Sequence, residues 1–336
     1  MAIFSKKIGI DLGTSRTRIY IPRKGIIVDE PSVVAKNTEN DKIVAVGLDA
    51  IDMLGRTPEQ LEAYYPLQNG VIADFGAAEQ MLRNFVQKAI GRFHIQKPEA
   101  MITVSVSATS TEQRAVLDVG HEAGIQNVFL IYSPVAAALG ASIPVIEPKG
   151  HMIVDIGSGT TEIAVLSLGG IVTKEAVRVG GKAMDEAITR YFRRTHNMHI
   201  GLNTAEETKL KIGAVHDEFD DQKMTVRGRN LSDSLPKSVD VKGRDLRPHL
   251  EGVFDRIILA VRNAIERTPP DVVSDIVGQG IVLSGGVAQL NGIEEYLSRK
   301  LNTPCFMAQD PLLCNAKGTY YALSHLDEYK RSLLGL

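Results

Sequence analysis

Apolar residues in this chain occur in short runs that end at turns rich in small residues, and two of these runs are built alike. The stretch Met152–Val165 reads MIVDIGSGTTEIAV: an apolar run ends at Asp155, a turn of Gly, Ser and Thr follows, and a second apolar run begins at Ile163. Short apolar runs on either side of a tight turn predict a β-hairpin. The stretch Ile8–Ile21, IGIDLGTSRTRIYI, predicts a second hairpin of the same form.

The two hairpins are related by a constant shift along the sequence. Asp11 and Gly13 of the first hairpin correspond to Asp155 and Gly157 of the second, 144 positions later in each case. Two similar hairpins at this spacing in a chain of 336 residues predict two related halves, each offering one turn to a shared nucleotide. The alternative is a pair of unrelated surface hairpins that both have Asp-x-Gly turns.

The turn residues have the chemistry that binds phosphate and a divalent cation. Gly157 and Gly159 lack Cβ atoms, so backbone N–H groups can come close to an anion. The threonines that follow add hydroxyl donors, and Asp155 is placed to hold a divalent cation through water molecules. A third glycine-rich turn, LSGG at Leu283–Gly286, would serve the nucleoside end of the same ligand.

The rest of the pattern alternates between strands and helices, which predicts an α/β fold with small insertions on two larger cores. Ala77–Ile90 has the apolar spacing of an amphipathic helix, and Met101–Val106 is typical of a buried strand. Arg247–Arg267 predicts a long helix. The pair Asn69-Gly70 marks a tight turn in the connector between the first strands and the first long helix.

Composition restricts the function class only broadly. Hydrophobic residues make up 44% of the chain and charged residues 23%, as in an ordinary globular protein, and the net charge of −2 gives no general attraction to nucleic acid. Two cysteines, Cys305 and Cys314, are too few for a secreted disulfide scaffold. No apolar run approaches the ~20 residues that cross a bilayer, and no signal peptide is evident, so we expect a cytoplasmic protein.

Three further motifs, together with the hairpins, carry a resemblance to a known family. They read GRTP at 55–58, GVIADF at 70–75 and VRGRNL at 226–231, and the matching stretches span nearly the whole chain in the family's order. In these motifs the chain resembles the MreB-type bacterial actins. The hairpins alone would indicate only the wider superfamily of actin, sugar kinases and DnaK-like chaperones.

The resemblance implies an actin-like ATPase fold, in which two duplicated ribonuclease-H-like domains each carry a smaller inserted subdomain. The nucleotide lies in the cleft between the domains. The implied subdomains are IA at 1–31, 74–144 and 316–336, IB at 32–73, IIA at 145–181 and 246–315, and IIB at 182–245.

The resemblance also implies a function. The chain would bind ATP or ADP with Mg²⁺, polymerise with further copies of itself into filaments, and help determine cell shape by organising wall synthesis. Its partners would be an anionic membrane surface and the cell-wall synthesis machinery, with no nucleic acid, at the inner face of the cell membrane. The alternative is a non-polymerising, nucleotide-dependent actin-fold binding module. A small-molecule kinase ranks third, because the sequence marks no catalytic Asp beyond the pair expected to face the metal.

Site residues carry over from the family position by position. Asp11 and Asp155 would face Mg²⁺ and the γ-phosphate, and Glu206 with Lys209 would line the adenine and ribose region. The phosphates would be contacted by Gly13, Thr14, Ser15 and Arg16 on one side and Gly157, Ser158, Gly159, Thr160 and Thr161 on the other, and the nucleoside by Gly285 and Gly286. Arg16 replaces the usual Asn and would either reach a phosphate oxygen or point to solvent.

The departure with the largest expected consequence is Ser133. The family has a Glu directly before the Pro that opens the connecting helix, whereas this chain has Ser133 before Pro134. A Ser hydroxyl is short and barely basic, and positioning or deprotonating the attacking water contributes about 10²–10⁴-fold to rate. We therefore expect weak ATPase activity. The alternative is that Glu162 or Asp155 orients the water, although we expect Glu162 to alternate away from the inner face of the turn.

A short loop resembles the family's membrane-insertion loop. Phe93 and Ile95 lie between the cations Arg92 and Lys97, so apolar tips would enter the headgroup region while the cations meet anionic lipid. The alternative is that both side chains pack beneath the loop. The N-terminal pair Ile3-Phe4 would add a second weak anchor.

Overall fold

The computed structural model describes residues 6–91, 97–329 and 333–334. The strands are β1 (Lys7–Leu12), β2 (Arg16–Ile21), β3 (Gly25–Pro31), β4 (Val34–Asn37), β5 (Ile43–Val46), β6 (Leu61–Tyr64), β7 (Leu67–Gln68), β8 (Val71–Ile72), β9 (Glu99–Val104), β10 (Asn127–Tyr132), β11 (His151–Ile156), β12 (Thr161–Ser167), β13 (Gly170–Val177), β14 (Met198–His199), β15 (Lys223–Asn230), β16 (Pro236–Lys242), β17 (Ile281–Ser284), β18 (Cys305–Met307) and β19 (Leu333–Leu334). The helices are α1 (Leu48–Ile51), α2 (Phe75–Ile90), α3 (Ser110–Glu122), α4 (Ser133–Gly140), α5 (Gly181–His196), α6 (Leu202–Ile212), α7 (Gly243–Glu266), α8 (Pro270–Gln279), α9 (Ile293–Leu301), α10 (Cys314–Ser324) and α11 (Leu326–Tyr329).

Two sheets with the same topology organise the molecule. The first has the strand order β19-β10-β9-β1-β2-β3 and the second β13-β12-β11-β17-β18. In each sheet a hairpin pairs antiparallel, β1 with β2 and β11 with β12, and its first strand pairs in parallel with a later strand, β9 or β17. The predicted hairpins, the two related halves and the α/β class are therefore confirmed.

The predicted amphipathic helix is α2, and its sequence explains both its limits and its packing. Asp74 caps the N-terminus by accepting a 3.0 Å hydrogen bond from the N–H of Ala77, and the helix ends before Gly91, whose φ is 91°. Its apolar face is completely buried at Met81, Leu82 and Phe85. Full burial of such a side chain contributes about 1.5–3 kcal/mol, so this face fixes α2 against the first sheet.

The long helix α7 begins four residues earlier than the sequence pattern predicts. It starts at Gly243, where the carboxylate of Asp245 accepts a 2.9 Å hydrogen bond from the N–H of Lys242, and it includes Pro248. It ends at Glu266, before a proline pair. A second helix, α8, begins at Pro270 itself, because proline fits the first turn of a helix where its missing N–H is not needed.

Two three-stranded sheets lie within the predicted insertions. One has the order β5-β4-β6 and a small buried cluster of Val33, Ala35 and Ala50. The other has the order β14-β15-β16. The exact subdomain boundaries stay a prediction.

Two helices pass between the sheets with their backbones in contact. α4 leads from β10 of the first sheet to β11 of the second, and α10 follows β18 and packs on α4 and β1. A Cβ atom at Gly140 would lie 1.8 Å from the carbonyl oxygen of Cys314, and one at Gly318 would lie 1.7 Å from that of Ala136. Only glycine allows this approach at either position.

No helix within the described residues is long and apolar enough to span a membrane. The proposed membrane loop residues Phe93 and Ile95, and the pair Ile3-Phe4, lie outside the part of the chain that the structure describes.

Candidate functional site

A cavity of about 570 Å³ lies between the turns of the two hairpins. Its volume falls in the range of small-molecule sites, about 300–1,000 Å³. Fifteen of the sequence-predicted site residues line it: Asp11, Gly13, Thr14, Ser15, Arg16, Ser133, Asp155, Gly157, Ser158, Gly159, Thr160, Glu206, Lys209, Gly285 and Gly286.

Thr161 is placed differently from the prediction. Its side chain is completely buried, and its hydroxyl donates a 2.8 Å hydrogen bond to the carbonyl of Val179. This bond ties β12 to the segment before α5. Because the hydroxyl is directed to that carbonyl, Thr161 is not part of the cavity lining, and the geometry gives it a structural contact in place of the predicted contact with the phosphates.

Both glycine-rich turns are held from outside through their carbonyl groups. In the first turn, the Ser32 hydroxyl donates to the carbonyl of Gly13 at 2.7 Å. In the second, the N–H of Gly181 donates to the carbonyl of Gly157 at 3.0 Å, and the next N–H donates to Ser158 at 2.8 Å. These bonds fix each turn to a neighbouring element and leave it facing the cavity.

Two buried carboxylates, Asp11 and Asp155, face the cavity from equivalent strands. Burial raises the pKa of Asp11 to about 6, against the opposing effect of Arg18, and the charge of Asp155 raises it further. Burial also raises the pKa of Asp155. That carboxylate accepts hydrogen bonds of 2.9 Å each from Ser284 and Asn315, which oppose the rise. The predicted pair is therefore close enough to interact electrostatically.

The residues present fit a magnesium ion held mainly through water. Asp11 and Asp155 supply carboxylate oxygens, which Mg²⁺ prefers, and a cation near them would offset the cost of burying two negative charges. No cluster of three or more His, Cys, Asp or Glu side chains placed to hold a metal occurs among the described residues. Water and substrate oxygens would complete the coordination, as is usual for this ion.

The strand register gives the two halves opposite charges beside their aspartates. Arg18 lies opposite Asp11, and Glu162 lies opposite Asp155, again 144 positions apart. Directly opposite residues of an antiparallel pair project from the same face of the sheet. The expectation that Glu162 turns away from the inner face is therefore wrong: Glu162 lines the cavity together with Arg18.

Ser133 begins α4 and reaches the cavity, but its hydroxyl already has a partner. Its Oγ donates a 3.2 Å hydrogen bond to the carbonyl of Val104, at the end of β9. The side chain is thus oriented by the backbone of the neighbouring strand.

Lys209 lines the end of the cavity that is predicted to hold the nucleoside, and it forms a buried ion pair. Lys209 Nζ lies 2.7 Å from a carboxylate oxygen of Asp185 and 3.3 Å from the carbonyl of Gly181. Burial raises the pKa of Asp185 to about 6, and Lys209 opposes that rise. Lys209 is therefore held in place, whereas Glu206 is exposed at the same end of the cavity.

Arg16 takes neither of the two orientations considered from the sequence. Its Nε donates to a carboxylate oxygen of Asp29 at 2.7 Å, and a second guanidinium nitrogen donates to the Asp29 carbonyl at 2.7 Å. The guanidinium is thus bound to β3 at the edge of the cavity.

Two contacts beside the cavity involve residues that the sequence analysis did not assign to the site. The tight turn between β7 and β8 is present, and the N–H of Gly70 donates a 3.0 Å hydrogen bond to Thr14. Lys182 Nζ lies 4.0 Å from the centroid of the Tyr65 ring, a cation–π contact between the two halves of the chain. The sequence predicts the Asn-Gly turn but does not predict its contact with Thr14.

Comparison with known proteins gives consistent matches over nearly the whole chain. A family model described as MreB/Mbl protein matches residues 5–331. The cell shape-determining protein Mbl of Bacillus subtilis (strain 168) is 37% identical over 332 residues, covering 99% of this chain and 100% of that protein. The cell shape-determining protein MreB of Escherichia coli (strain K12) is 42% identical over 330 residues, covering 97% and 95%.

Solved structures match the fold closely. The crystal structure of MreB5 of Spiroplasma citri bound to AMPPNP has a TM-score of 0.91 and 32% identity, covering 96% of this chain and 97% of that chain. The ADP-bound crystal structure of MreB5 has a TM-score of 0.92 at the same identity, covering 96% and 98%. A MamK double helical filament shares the fold, with a TM-score of 0.81 and 22% identity. The predicted actin-like ATPase fold is confirmed.

Proposed function

This chain belongs to the MreB/Mbl family of cell shape-determining, actin-like proteins, and on that premise we propose that it binds ATP and ADP in the cavity between its two halves, hydrolyses ATP, and assembles into filaments. The observation that supports the nucleotide site is the pair of equivalent glycine-rich turns, each preceded by a strand that carries a buried aspartate. The MreB5 relative binds AMPPNP and ADP, at 32% identity over nearly the whole chain.

Each group of cavity residues has a task in this proposal. The turns at Gly13–Ser15 and Gly157–Thr160 contact the phosphates, and Gly285, Gly286 and Lys209 contact the nucleoside. Asp11 and Asp155 hold Mg²⁺ through water molecules. When bound, Mg²⁺ neutralises phosphate charge, while the protein positions the reacting groups.

We assign hydrolysis a low rate because of Ser133. Its hydroxyl is bound to the Val104 carbonyl and is a poor proton acceptor. Ser133→Glu should raise the single-turnover rate of ATP hydrolysis about tenfold or more, since water positioning and general-base catalysis contribute about 10²–10⁴-fold. Ser133→Ala is the matched control and should leave the rate close to that of the wild type. An unaccelerated Ser133→Glu protein that still binds ATP would contradict this assignment.

Family membership supports our proposals for filament formation and cellular location. Head-to-tail contacts between non-identical patches produce open filaments when the rotation between subunits does not close. We propose that the filaments lie on the cytoplasmic face of the cell membrane and organise the wall-synthesis machinery. Subdomain boundaries at 32–73 and 182–245 belong to the same proposal.

Electron microscopy separates the filament proposal from a non-polymerising regulatory module. Purified protein with ATP and Mg²⁺ should form filaments, and Asp155→Asn protein should form fewer of them because its cation site loses a charge. If the wild type binds ATP but stays monomeric at high concentration, the regulatory module is the better assignment. Co-sedimentation with anionic liposomes tests whether the loop that contains Phe93 and Ile95 binds the membrane. The double variant Phe93→Ala with Ile95→Ala should pellet less with the liposomes than the wild type, and unchanged pelleting would remove this loop from the proposal.

A further inference from the structure

Glu162 is a buried acidic side chain in the cavity that the assigned roles do not use. Only 3% of its surface is exposed, and it projects into the cavity from β12, on the same side of the sheet as Asp155. A buried carboxylate is costly unless it is paired and hydrogen-bonded. Glu162 lies beside the phosphate turn, so an acceptor position of its carboxylate that no protein group occupies is available to a water molecule there.

The orientation of Glu162 is fixed by donors from two different elements. Its Oε2 accepts a 2.9 Å hydrogen bond from the N–H of Val106, beyond the end of β9. Its Oε1 accepts a 3.3 Å hydrogen bond from the hydroxyl of Thr160, which belongs to the phosphate turn. An ionised carboxylate has about four acceptor positions. The side chain of Ser105 is a third donor to this carboxylate. Together these bonds hold the side chain in place and leave one acceptor position for a water molecule.

The other acidic side chains that line the cavity are occupied or too remote. Asp155 accepts from Ser284 and Asn315 and faces the cation, and Asp11 accepts a 3.3 Å hydrogen bond from Thr103. Glu206 lies at the nucleoside end, on α6. In the first half, the position equivalent to Glu162 is the cation Arg18. Among the described cavity residues, Glu162 thus has the best position to accept a hydrogen bond from water at the phosphate end.

We propose that Glu162 is the catalytic residue that orients the attacking water for ATP hydrolysis in this chain, beside the same end of β9 that Ser133 contacts without supplying a carboxylate. This inference rests on the proposed ATPase function. The slow ATP hydrolysis expected for a chain with Ser133 then depends on the carboxylate of Glu162.

The chemical step is an in-line displacement at phosphorus. The water oxygen forms a bond to the γ-phosphorus, and the bond from that phosphorus to the β,γ-bridging oxygen breaks, so ADP leaves with the electron pair. Glu162 accepts a hydrogen bond from the water and takes its proton as the new P–O bond forms. The proton then passes from Glu162 to the departing phosphate or to solvent.

The test compares Glu162→Gln and Glu162→Asp with the wild type. Glutamine keeps the side-chain length and an acceptor for Val106 but cannot take a proton, and aspartate keeps the charge but is shorter. Single-turnover hydrolysis of ATP should fall about tenfold or more in Glu162→Gln and less in Glu162→Asp. Affinity for AMPPNP, measured by calorimetry, should stay within about threefold of the wild type.

A second pair of variants controls for folding. Ser133→Glu should restore hydrolysis when combined with Glu162→Gln, because it supplies a carboxylate at a neighbouring position of the cavity lining, and this recovery also shows that the Gln variant is folded. A wild-type hydrolysis rate in Glu162→Gln would overturn the inference. A fall in rate matched by an equal fall in AMPPNP affinity would also overturn it, by assigning Glu162 to binding. Failure of the wild type itself to bind AMPPNP would refute the nucleotide site, which is a distinguishable result.

Discussion

The hydroxyl oxygens of Ser15 and Ser158 lie 2.6 Å apart, so the two glycine-rich turns contact each other directly across the cavity. These serines occupy nearly equivalent places in the two hairpins. A ligand with several phosphates that enters between the turns has to replace this contact. The Ser15–Ser158 distance is therefore a direct measure of whether the phosphate end of the cavity is open.

A disulfide across this contact should close the nucleotide site. In Ser15→Cys with Ser158→Cys, oxidation should link the turns, because the hydroxyl oxygens that the sulfur atoms would replace lie 2.6 Å apart, near the ~2.05 Å length of an S–S bond. AMPPNP binding should be lost after oxidation and recovered with dithiothreitol. The native Cys305 and Cys314 are buried, with pKa values raised by burial to about 11 and about 12, so they should not interfere. Each single cysteine variant is a control, and equal affinity of oxidised and reduced double variant would contradict the prediction.

The buried pair of Lys209 and Asp185 should show strong coupling. Lys209→Met should cost about 3–5 kcal/mol of unfolding free energy, because it leaves Asp185 buried without its partner. Adding Asp185→Leu should recover much of this loss. Urea denaturation of the two single variants and the double variant at pH 7 measures the coupling, and strictly additive losses would show that the pair is not a unit.

Loss of Lys209 should also change the pH dependence of stability. Burial already raises the pKa of Asp185 to about 6, above its value in the unfolded chain, and Lys209 opposes that rise. A raised carboxyl pKa means that the folded state takes up protons more readily, so stability falls as the pH rises through that window. The deficit of Lys209→Met should therefore be smaller at pH 5 than at pH 8, as measured by urea denaturation at both pH values.

Removal of the Asp74 cap should weaken α2. Asp74→Ala should cost about 1 kcal/mol, whereas Asp74→Asn keeps an acceptor for the N–H of Ala77 and should cost less. Burial alone would raise the pKa of Asp74, but hydrogen bonds from the Tyr64 hydroxyl and from Ala77 hold it below its usual value. The stabilisation by a carboxyl with a lowered pKa is present above pH 4 and is lost at lower pH. In acid the wild type should therefore approach the stability of Asp74→Asn, whereas Asp74→Ala, which has no acceptor for Ala77, should stay less stable. Urea denaturation at pH 3 and pH 7 would measure both differences.

A methyl group at Gly180 should weaken nucleotide binding. The added Cβ would lie 2.4 Å from the carbonyl oxygen of Gly157 and would push the second phosphate turn. The φ of Gly180 is −173°, an extended conformation open to any residue, so the expected loss of affinity is a steric effect and does not come from backbone strain. Gly180→Ala should lower AMPPNP affinity about tenfold, equivalent to 1.4 kcal/mol. Gly201→Ala is the matched control, because Gly201 also precedes a helix and has open space around it.

The sequence predicted the parts of the site that come from local pattern. Repeated hairpins, glycine-rich turns and the two aspartates were recognisable because each depends on residues close together in the chain. The partners of Asp155 were not, because Ser284 and Asn315 come from elements more than a hundred residues away. The predicted orientation of Glu162 is wrong for a different reason. Alternation along β12 does not by itself show which face of the sheet points to the cavity, whereas pairing with Asp155 puts Glu162 on the same face as that aspartate.

The contact of α4 with α10 determines how the two halves can move. Because the backbones of α4 and α10 touch at Gly140 and Gly318, the two halves cannot slide past each other or move apart at this crossing without disrupting the close packing of the two helices. The remaining freedom is a change of angle, with the crossing as a fixed pivot. A few degrees there would widen or narrow the cavity between the halves, so a small event at the phosphates can make or break the contact of Tyr65 with Lys182 across the cavity.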